Sequence, residues 1–176
     1  MSSRKHHLLS VNGIRIHAVE EGSGPLVLLV HGFPESWYSW RHQLTALAAA
    51  GYRAVAIDQR GYGRSSKPSD LDAYRIHHLV ADVVGVVKAL GEQTAVIIGH
   101  DWGAPIVWNT AFTNPDRIRA VAGLSVPFAG APQRPFTEVF REHFTSQGPQ
   151  DYETPRALET SEVKAVVEDY RTANPR

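Results

Sequence analysis

Residues 95–103, AVIIGHDWG, contain the pattern that decides the fold. Ala95–Ile98 is a short apolar run of the kind that forms a strand buried on both faces, and the segment after it has helical spacing. Gly99-His100-Asp101-Trp102-Gly103 joins the two, with a glycine on either side of a central acidic residue. A sharp strand-to-helix turn of this form, a nucleophile elbow, needs those glycines because larger side chains would collide around it. The sequence therefore predicts a strained turn that presents Asp101.

A carboxylate at the centre of such a turn favours a particular chemistry. Attack by Asp101 on an sp3 carbon would give an alkyl-enzyme ester, whereas a carboxylate is a poor choice for opening an amide. The expected electrophile is therefore an epoxide or an alkyl halide. The alternative is that Asp101 only caps the following helix, as aspartate often does. The strand before it and the helix after it favour the catalytic interpretation.

A second turn follows Leu26–Val30, another apolar run that predicts a buried strand. The turn reads His31-Gly32-Phe33-Pro34-Glu35-Ser36. In a site of this kind two backbone N–H groups stabilise negative charge, one from the residue after the nucleophile and one from this loop. We expect these donors to be Trp102 and Phe33, placed where the ring oxygen of an epoxide would become an alkoxide. His31 and His100 are interpreted as residues that shape the two turns.

Strand and helix signals alternate through the first 127 residues. An antiparallel hairpin around Asn12-Gly13, followed by β-α-β units, predicts a doubly wound, mostly parallel α/β sheet. After Pro127 the pattern changes, and no further buried strand is predicted. The predicted strands, besides the two already given, are His7–Val11, Ile14–Ala18, Ala54–Ile57 and Ile118–Val126, and the predicted helices are Trp37–Leu47, Leu79–Leu90 and Ala104–Phe112.

Composition and charge exclude several classes of partner and site. With 18 basic and 18 acidic residues the net charge is +0, which indicates no nucleic-acid or anionic-membrane surface. The absence of cysteine excludes disulfides, Cys-based zinc sites and a thiol nucleophile. The longest apolar run is too short to span a bilayer, and no signal-peptide pattern follows Met1. A cytoplasmic location is the resulting expectation.

No cofactor or metal site is predicted. Gly61-Tyr62-Gly63 lacks the context of a dinucleotide fingerprint, and no Walker-type lysine loop occurs. The adjacent pairs His6-His7 and His77-His78 are expected to point apart in a strand or helix, and therefore to make poor metal sites.

Three segments, His31–Arg41, Asp58–Ser65 and Gly99–Gly103, together resemble the epoxide hydrolases of the α/β-hydrolase superfamily. The resemblance covers roughly residues 8–130. It implies Asp101 as the nucleophile, Phe33 and Trp102 as oxyanion-binding donors, and a small apolar epoxide and water as the substrates. It also implies that the sheet is of the α/β-hydrolase type.

Two other interpretations stay open. Haloalkane dehalogenases share the Asp and the following Trp, but have Asn where this chain has Phe33. Haloacetate dehalogenases share the His-Gly-Phe-Pro start, but usually have Arg where this chain has Trp102. A dehalogenase is therefore the alternative enzyme, and a non-catalytic α/β-hydrolase relative that binds a ligand or partner is the third reading.

The resemblance also implies parts that this sequence is not expected to contain. In the family a His, oriented by a second carboxylate, activates the water that hydrolyses the ester, and both groups follow later core strands. We therefore expect a core over residues 1–127 that lacks the last core strands, a partial cap over residues 128–176, and doubtful turnover by this chain alone. Tyr152 is the candidate donor to the ring oxygen, and His143 is interpreted as a surface residue. The strand Ile118–Val126 is expected to be an exposed edge through which a homo-oligomer could form.

Overall fold

The computed structural model describes residues 4–128 of the chain. Within that part the strands are β1 (Lys5–Val11), β2 (Ile14–Gly22), β3 (Leu26–Val30), β4 (Arg53–Ile57), β5 (Ala95–His100) and β6 (Ile118–Leu124), and the helices are α1 (Arg41–Ala49), α2 (Ile76–Ala89) and α3 (Gly103–Thr113). The sheet order is β1-β2-β4-β3-β5-β6. The β1–β2 and β2–β4 pairs are antiparallel, and the β3–β4, β3–β5 and β5–β6 pairs are parallel. The predicted mostly parallel sheet is therefore confirmed.

Helices cover both faces of this sheet, as a doubly wound fold requires. All of β3 is buried, and its side chains alternate between two apolar clusters. Leu28 packs in the cluster that holds α2 and α3, whereas Leu29 packs in the cluster that holds Leu44 of α1. β3 is apolar at every position because both of its faces are buried. Among residues 4–128 no helix is long and apolar enough to cross a membrane.

The helix predicted from Trp37 to Leu47 is divided in the structure. Residues Trp37–Trp40 form a 3-10 helix, and α1 begins only at Arg41. Ser36 caps the first segment through a bond from the Tyr38 N–H to its side-chain oxygen at 3.3 Å. The Trp37 N–H donates to Asp58 Oδ1 at 2.9 Å, which fixes this turn to the loop after β4. This tertiary bond explains why apolar spacing alone did not predict the tighter turn.

The last described strand is shorter than expected. We predicted a strand to Val126, but β6 ends at Leu124 and Ser125 has a φ of 71°. A left-handed backbone cannot continue a strand. The indole N–H of Trp108 in α3 donates to the carbonyl of Val126 at 3.0 Å, which supplies the bond that the ladder no longer makes. β6 forms one edge of the sheet in residues 4–128, and β1 forms the other.

A buried ion pair joins α2 to the loop after β4. Arg60 donates to both carboxylate oxygens of Asp82 at 2.8 Å, and each side chain is only 4% exposed. Asn12, in the turn between β1 and β2, also donates to Asp82 at 2.9 Å. One carboxylate on α2 therefore holds two loops that are distant in sequence.

Candidate active site

The turn between β5 and α3 has the strained geometry that its sequence predicts. Asp101 has a φ of 50°, in the left-handed region that side chains other than glycine rarely adopt. A Cβ on Gly99 would collide with the backbone of Gly103, and a Cβ on Gly103 would collide with the carbonyls of Val30 and His31. The elbow is therefore packed directly against the end of β3, and its glycines are required by contact.

The loop after β3 meets this elbow because β3 and β5 are neighbouring parallel strands, with Val30 paired to Gly99. The Phe33 N–H donates to Asp101 Oδ1 at 2.8 Å. A Cβ built on Gly32 would lie 2.6 Å from the same oxygen. Phe33 and Asp101, which the sequence analysis grouped, are thus brought into direct contact.

The acceptor of this bond differs from our expectation. We expected the Phe33 donor to face the ring oxygen of a substrate, but the structure directs it at the carboxylate of Asp101. A donor at this position holds one carboxylate oxygen still and leaves the other available for attack. The same donor would stabilise the oxyanion formed when water adds to an ester of that carboxylate.

Two large apolar side chains next to the carboxylate are exposed. The side chain of Phe33 is 62% exposed and that of Trp102 is 54% exposed. Trp102 precedes α3 with helical backbone angles, φ −58° and ψ −22°. Exposed aromatic residues adjacent to a nucleophile suit an apolar ligand.

Glu35 connects the loop to the elbow, a role that the sequence analysis did not assign. Its Oε2 accepts the Gly32 N–H at 3.0 Å and lies 3.3 Å from His100 Nδ1. The Glu35 N–H in turn donates to the Gly32 carbonyl at 3.0 Å. Glu35 lies within the motif that we quoted, but a motif does not reveal which donors a carboxylate serves.

His31 is fully buried behind the loop, and its ring contacts Gly32, Gln59 and Tyr62. Its Nδ1 lies 2.7 Å from the Gly32 carbonyl oxygen, and its Nε2 accepts the Gln59 N–H at 3.0 Å. The Gln59 side chain also donates to the His31 carbonyl. The Tyr62 ring packs edge-on against the imidazole at 5.1 Å between centroids. Burial lowers the pKa of His31 below its ordinary value.

The carboxylate of Asp101 acts electrostatically on the hydroxyl of Tyr62. Burial raises the pKa of the Tyr62 hydroxyl above its ordinary value, and the nearby Asp101 carboxylate raises it further. The Tyr62 hydroxyl therefore stays protonated at neutral pH.

Asp58 anchors the loop that carries Gln59 and Tyr62. Its carboxylate accepts the backbone N–H groups of Trp37 and Arg64, both at 2.9 Å, and lies 2.8 Å from His17 Nδ1. Burial alone would raise the pKa of Asp58, but these donors hold it below its ordinary value. The other ring nitrogen of His17, Nε2, lies 3.0 Å from Nδ1 of His6.

The remaining candidate residues have simple outcomes. Tyr152, His143 and nearly all of the predicted cap segment lie outside the described residues. In residues 4–128 no group of three His, Cys, Asp or Glu side chains is arranged to hold a metal ion. One detail was wrong: the His77 and His78 rings do not point apart, because their centroids are 4.2 Å apart at the start of α2.

Comparison with known proteins places this geometry in a family. A family model for the α/β-hydrolase fold matches residues 25–154. Epoxide hydrolase B of Mycobacterium tuberculosis is 58% identical over 145 residues, which are 77% of this chain and 41% of that protein. Epoxide hydrolase A of the same organism is 51% identical over 146 residues, 82% of this chain and 45% of its own length.

Solved structures agree with these sequences. Epoxide hydrolase A from Mycobacterium thermoresistibile superposes with a TM-score of 0.82 at 44% identity, over 90% of this chain and 51% of that one. An epoxide hydrolase from Vigna radiata gives 0.78 at 40% identity, over 96% and 54%. The chain spans about half or less of the length of these relatives. On its matched residues, elbow and sheet order, the chain belongs to the α/β-hydrolase fold family and is similar to the N-terminal part of epoxide hydrolases.

Proposed function

We propose that this chain carries the nucleophilic half of an epoxide hydrolase site, with Asp101 as the nucleophile. The observation that carries the proposal is the bond from the Phe33 N–H to Asp101 Oδ1 at the head of the β5 elbow. It supports a carboxylate held in one orientation, as covalent catalysis requires.

The proposed reaction starts at the other carboxylate oxygen. Asp101 Oδ2 attacks one ring carbon of the epoxide and forms a C–O ester bond, while the bond from that carbon to the ring oxygen breaks. The electron pair of the broken bond stays on the ring oxygen, which becomes an alkoxide and takes a proton from an acid. Tyr152 stays our candidate for that acid.

Release of the diol needs a second half-reaction. A general base takes a proton from water as the water oxygen adds to the ester carbonyl carbon, and the oxyanion that forms on Oδ1 stays bonded to the Phe33 N–H, with Trp102 as the proposed second donor. The bond from that carbon to Oδ2 then breaks, Oδ2 leaves in the diol with a proton returned by the base, and the carboxylate is restored with the water oxygen. We propose that this base is not among residues 4–128, so that these residues together with Tyr152 support formation of the ester but not its hydrolysis.

Two residues favour an epoxide over a halide as the substrate. Phe33 contributes only its backbone N–H next to Asp101, with no side-chain amide for a halide ion, and Trp102 has no cationic group for a haloacetate carboxylate. Their exposed aromatic side chains suit a small apolar epoxide.

Intact-mass spectrometry tests the proposal. The purified chain is incubated with a small aryl epoxide, beside an Asp101→Asn variant, and circular dichroism establishes that both are folded. We expect the parent chain to gain the mass of one epoxide at Asp101, and the variant to gain nothing. A folded parent chain that gains no mass, or equal gain by both proteins, would contradict the proposal.

The same experiment with a haloalkane decides between the enzymes. Halide release without reaction of the epoxide would select the dehalogenase, and reversible binding without any covalent product would select the non-catalytic relative. A cytoplasmic location and a homo-oligomer through the edge of the sheet stay predictions.

A further inference from the structure

The protonation of His31 follows from its two hydrogen bonds. Nε2 receives the Gln59 backbone N–H at 3.0 Å, so this nitrogen presents a lone pair. Nδ1 lies 2.7 Å from the Gly32 carbonyl oxygen, which can only accept, so Nδ1 carries the hydrogen. The buried ring is thus the neutral Nδ1–H tautomer, and both of its nitrogens are used.

The Gly32 carbonyl belongs to the peptide unit that contains the Phe33 N–H. A peptide unit is planar, so the direction of its carbonyl fixes the direction of its N–H. The carbonyl end is held by His31 Nδ1–H and by the Glu35 N–H at 3.0 Å, and the N–H end points at Asp101 Oδ1. Gly32 has no side chain to resist rotation of this unit, because a Cβ there would collide with Asp101.

The geometry points to His31 as a positioning residue: its Nδ1–H orients the Gly32–Phe33 peptide so that the Phe33 N–H meets Asp101. This inference rests on the proposed function of Asp101. His31 does not touch the carboxylate itself but acts through the peptide. On the other side of the ring, the Gln59 N–H donates to Nε2, and the Gln59 side chain donates to the His31 carbonyl.

Two amide variants, each placing an amide group at one of the two ring nitrogens, separate this role from general stability. In His31→Asn the amide nitrogen takes the place of Nδ1 and keeps the donor to Gly32, while the acceptor for Gln59 is lost. In His31→Gln the amide oxygen takes the place of Nε2 and keeps the acceptor, while the donor is lost. Each variant loses one hydrogen bond of a buried ring, so a purely structural role predicts similar effects.

The first measurement is amide hydrogen exchange at Phe33 by NMR on the full chain. We expect His31→Gln to speed exchange of the Phe33 amide about tenfold or more, because the peptide rotates away from Asp101, and His31→Asn to stay within about threefold of the parent. Amides of β3 serve as the reference for overall stability. Equal changes in the two variants, or a change only in His31→Asn, would overturn the inference.

The second measurement is the rate at which Asp101 is alkylated by the aryl epoxide. We expect His31→Gln to be slower by about three- to tenfold, the effect of one orienting bond, and His31→Asn to be nearly unchanged. The reverse order would overturn the inference. If the parent chain gains no adduct, the proposed function fails, and the exchange of the Phe33 amide still decides the role of His31.

A third measurement needs no substitution and applies even if neither variant folds. The ring nitrogens of His31 in the parent chain, observed by NMR at neutral pH, are expected to show a protonated Nδ1 and an unprotonated Nε2. An Nε2–H ring or a charged imidazolium would overturn the inference.

Discussion

At Gly32 the loop after β3 comes close to the turn between β5 and α3, and it can do so because glycine has no Cβ atom. The nearest atoms to a Cβ there belong to the side chain of Asp101, and the carboxylate oxygen Oδ1 would lie 2.6 Å away. Gly32 has no left-handed φ, so the reason for glycine is space alone. The loop after β3 can therefore reach Asp101 only if residue 32 has no side chain.

We predict that Gly32→Ala abolishes formation of the epoxide adduct, because the added methyl group displaces the Asp101 carboxylate from the Phe33 N–H. The measurement is adduct yield by intact mass. Gly91→Ala is the control: Gly91 has a φ of 82° but open space around its Cβ position, so it should cost about 1–2 kcal/mol of stability and leave alkylation intact. Retained alkylation in Gly32→Ala would contradict the steric argument.

Asp82 shows how much one helix contributes to the placement of loops. Its carboxylate satisfies the Arg60 guanidinium in a site where both side chains are almost fully buried, and it also accepts the Asn12 amide. The hydrogen bonds to Asp82 raise the pKa of Arg60 further, so the guanidinium stays charged in the fold. The pair is buried, but each charge has its partner.

We predict that Asp82→Ala destabilises the fold by about 3–5 kcal/mol, because it leaves the buried Arg60 charge without its partner. Urea unfolding followed by circular dichroism measures the loss. Asp72→Ala removes an acidic residue from an ion pair with Arg75 whose side chains are 70% and 64% exposed, and it should change stability little. Equal losses in both variants would argue against the buried pair.

β6 is the other element with a testable consequence. It pairs only with β5 in residues 4–128, and Ala120, Ala122 and Leu124 along it are exposed. We predict that Ala122→Lys lowers concentration-dependent self-association in sedimentation experiments, because a charge on an edge strand opposes strand pairing between copies. Ala50→Lys adds the same charge at an exposed position after α1 and should have no such effect. Association that is unchanged by Ala122→Lys would exclude this edge.

For the whole molecule, His31 and His6 contribute to the response to mild acid. The pKa of the buried His31 and that of the exposed His6 are both lowered, chiefly by loss of solvation of the ring. Below about pH 6.5 the unfolded chain therefore binds more protons than the fold, and stability falls as pH falls. The lowered pKa values of Asp58 and Glu20 act in the same direction, but below about pH 4.5, where carboxylates of the unfolded chain take up protons.

We predict that the free energy of unfolding is lower at pH 5 than at pH 7. The slope contributed by His31 has an upper limit of about 1.4 kcal/mol per pH unit. Urea titrations at the two pH values measure the difference, which should be smaller in His31→Asn because the variant has no ring to protonate. Equal stability at both pH values would contradict this account.

The sequence predicted the sheet and the elbow because both depend on local patterns. Apolar runs marked β3, β4 and β5, and the glycines around Asp101 marked the strained turn. It did not predict the 3-10 turn at Trp37, which depends on a bond from the Trp37 N–H to a loop 21 residues away. Nor did it assign partners to Glu35 or Gln59, because the donors that a side chain meets depend on which strands become neighbours.

The bond between Phe33 and Asp101 joins residues 68 positions apart in the chain. As synthesis proceeds, β3 can pair with β4 long before β5 exists, since 37 residues separate β4 from β5. Closing so long a loop costs entropy that a single hydrogen bond does not offset, so the bond waits for pairing of β3 with β5. The Asp101 carboxylate therefore receives the Phe33 donor late in folding, when most of the sheet around it is already in place.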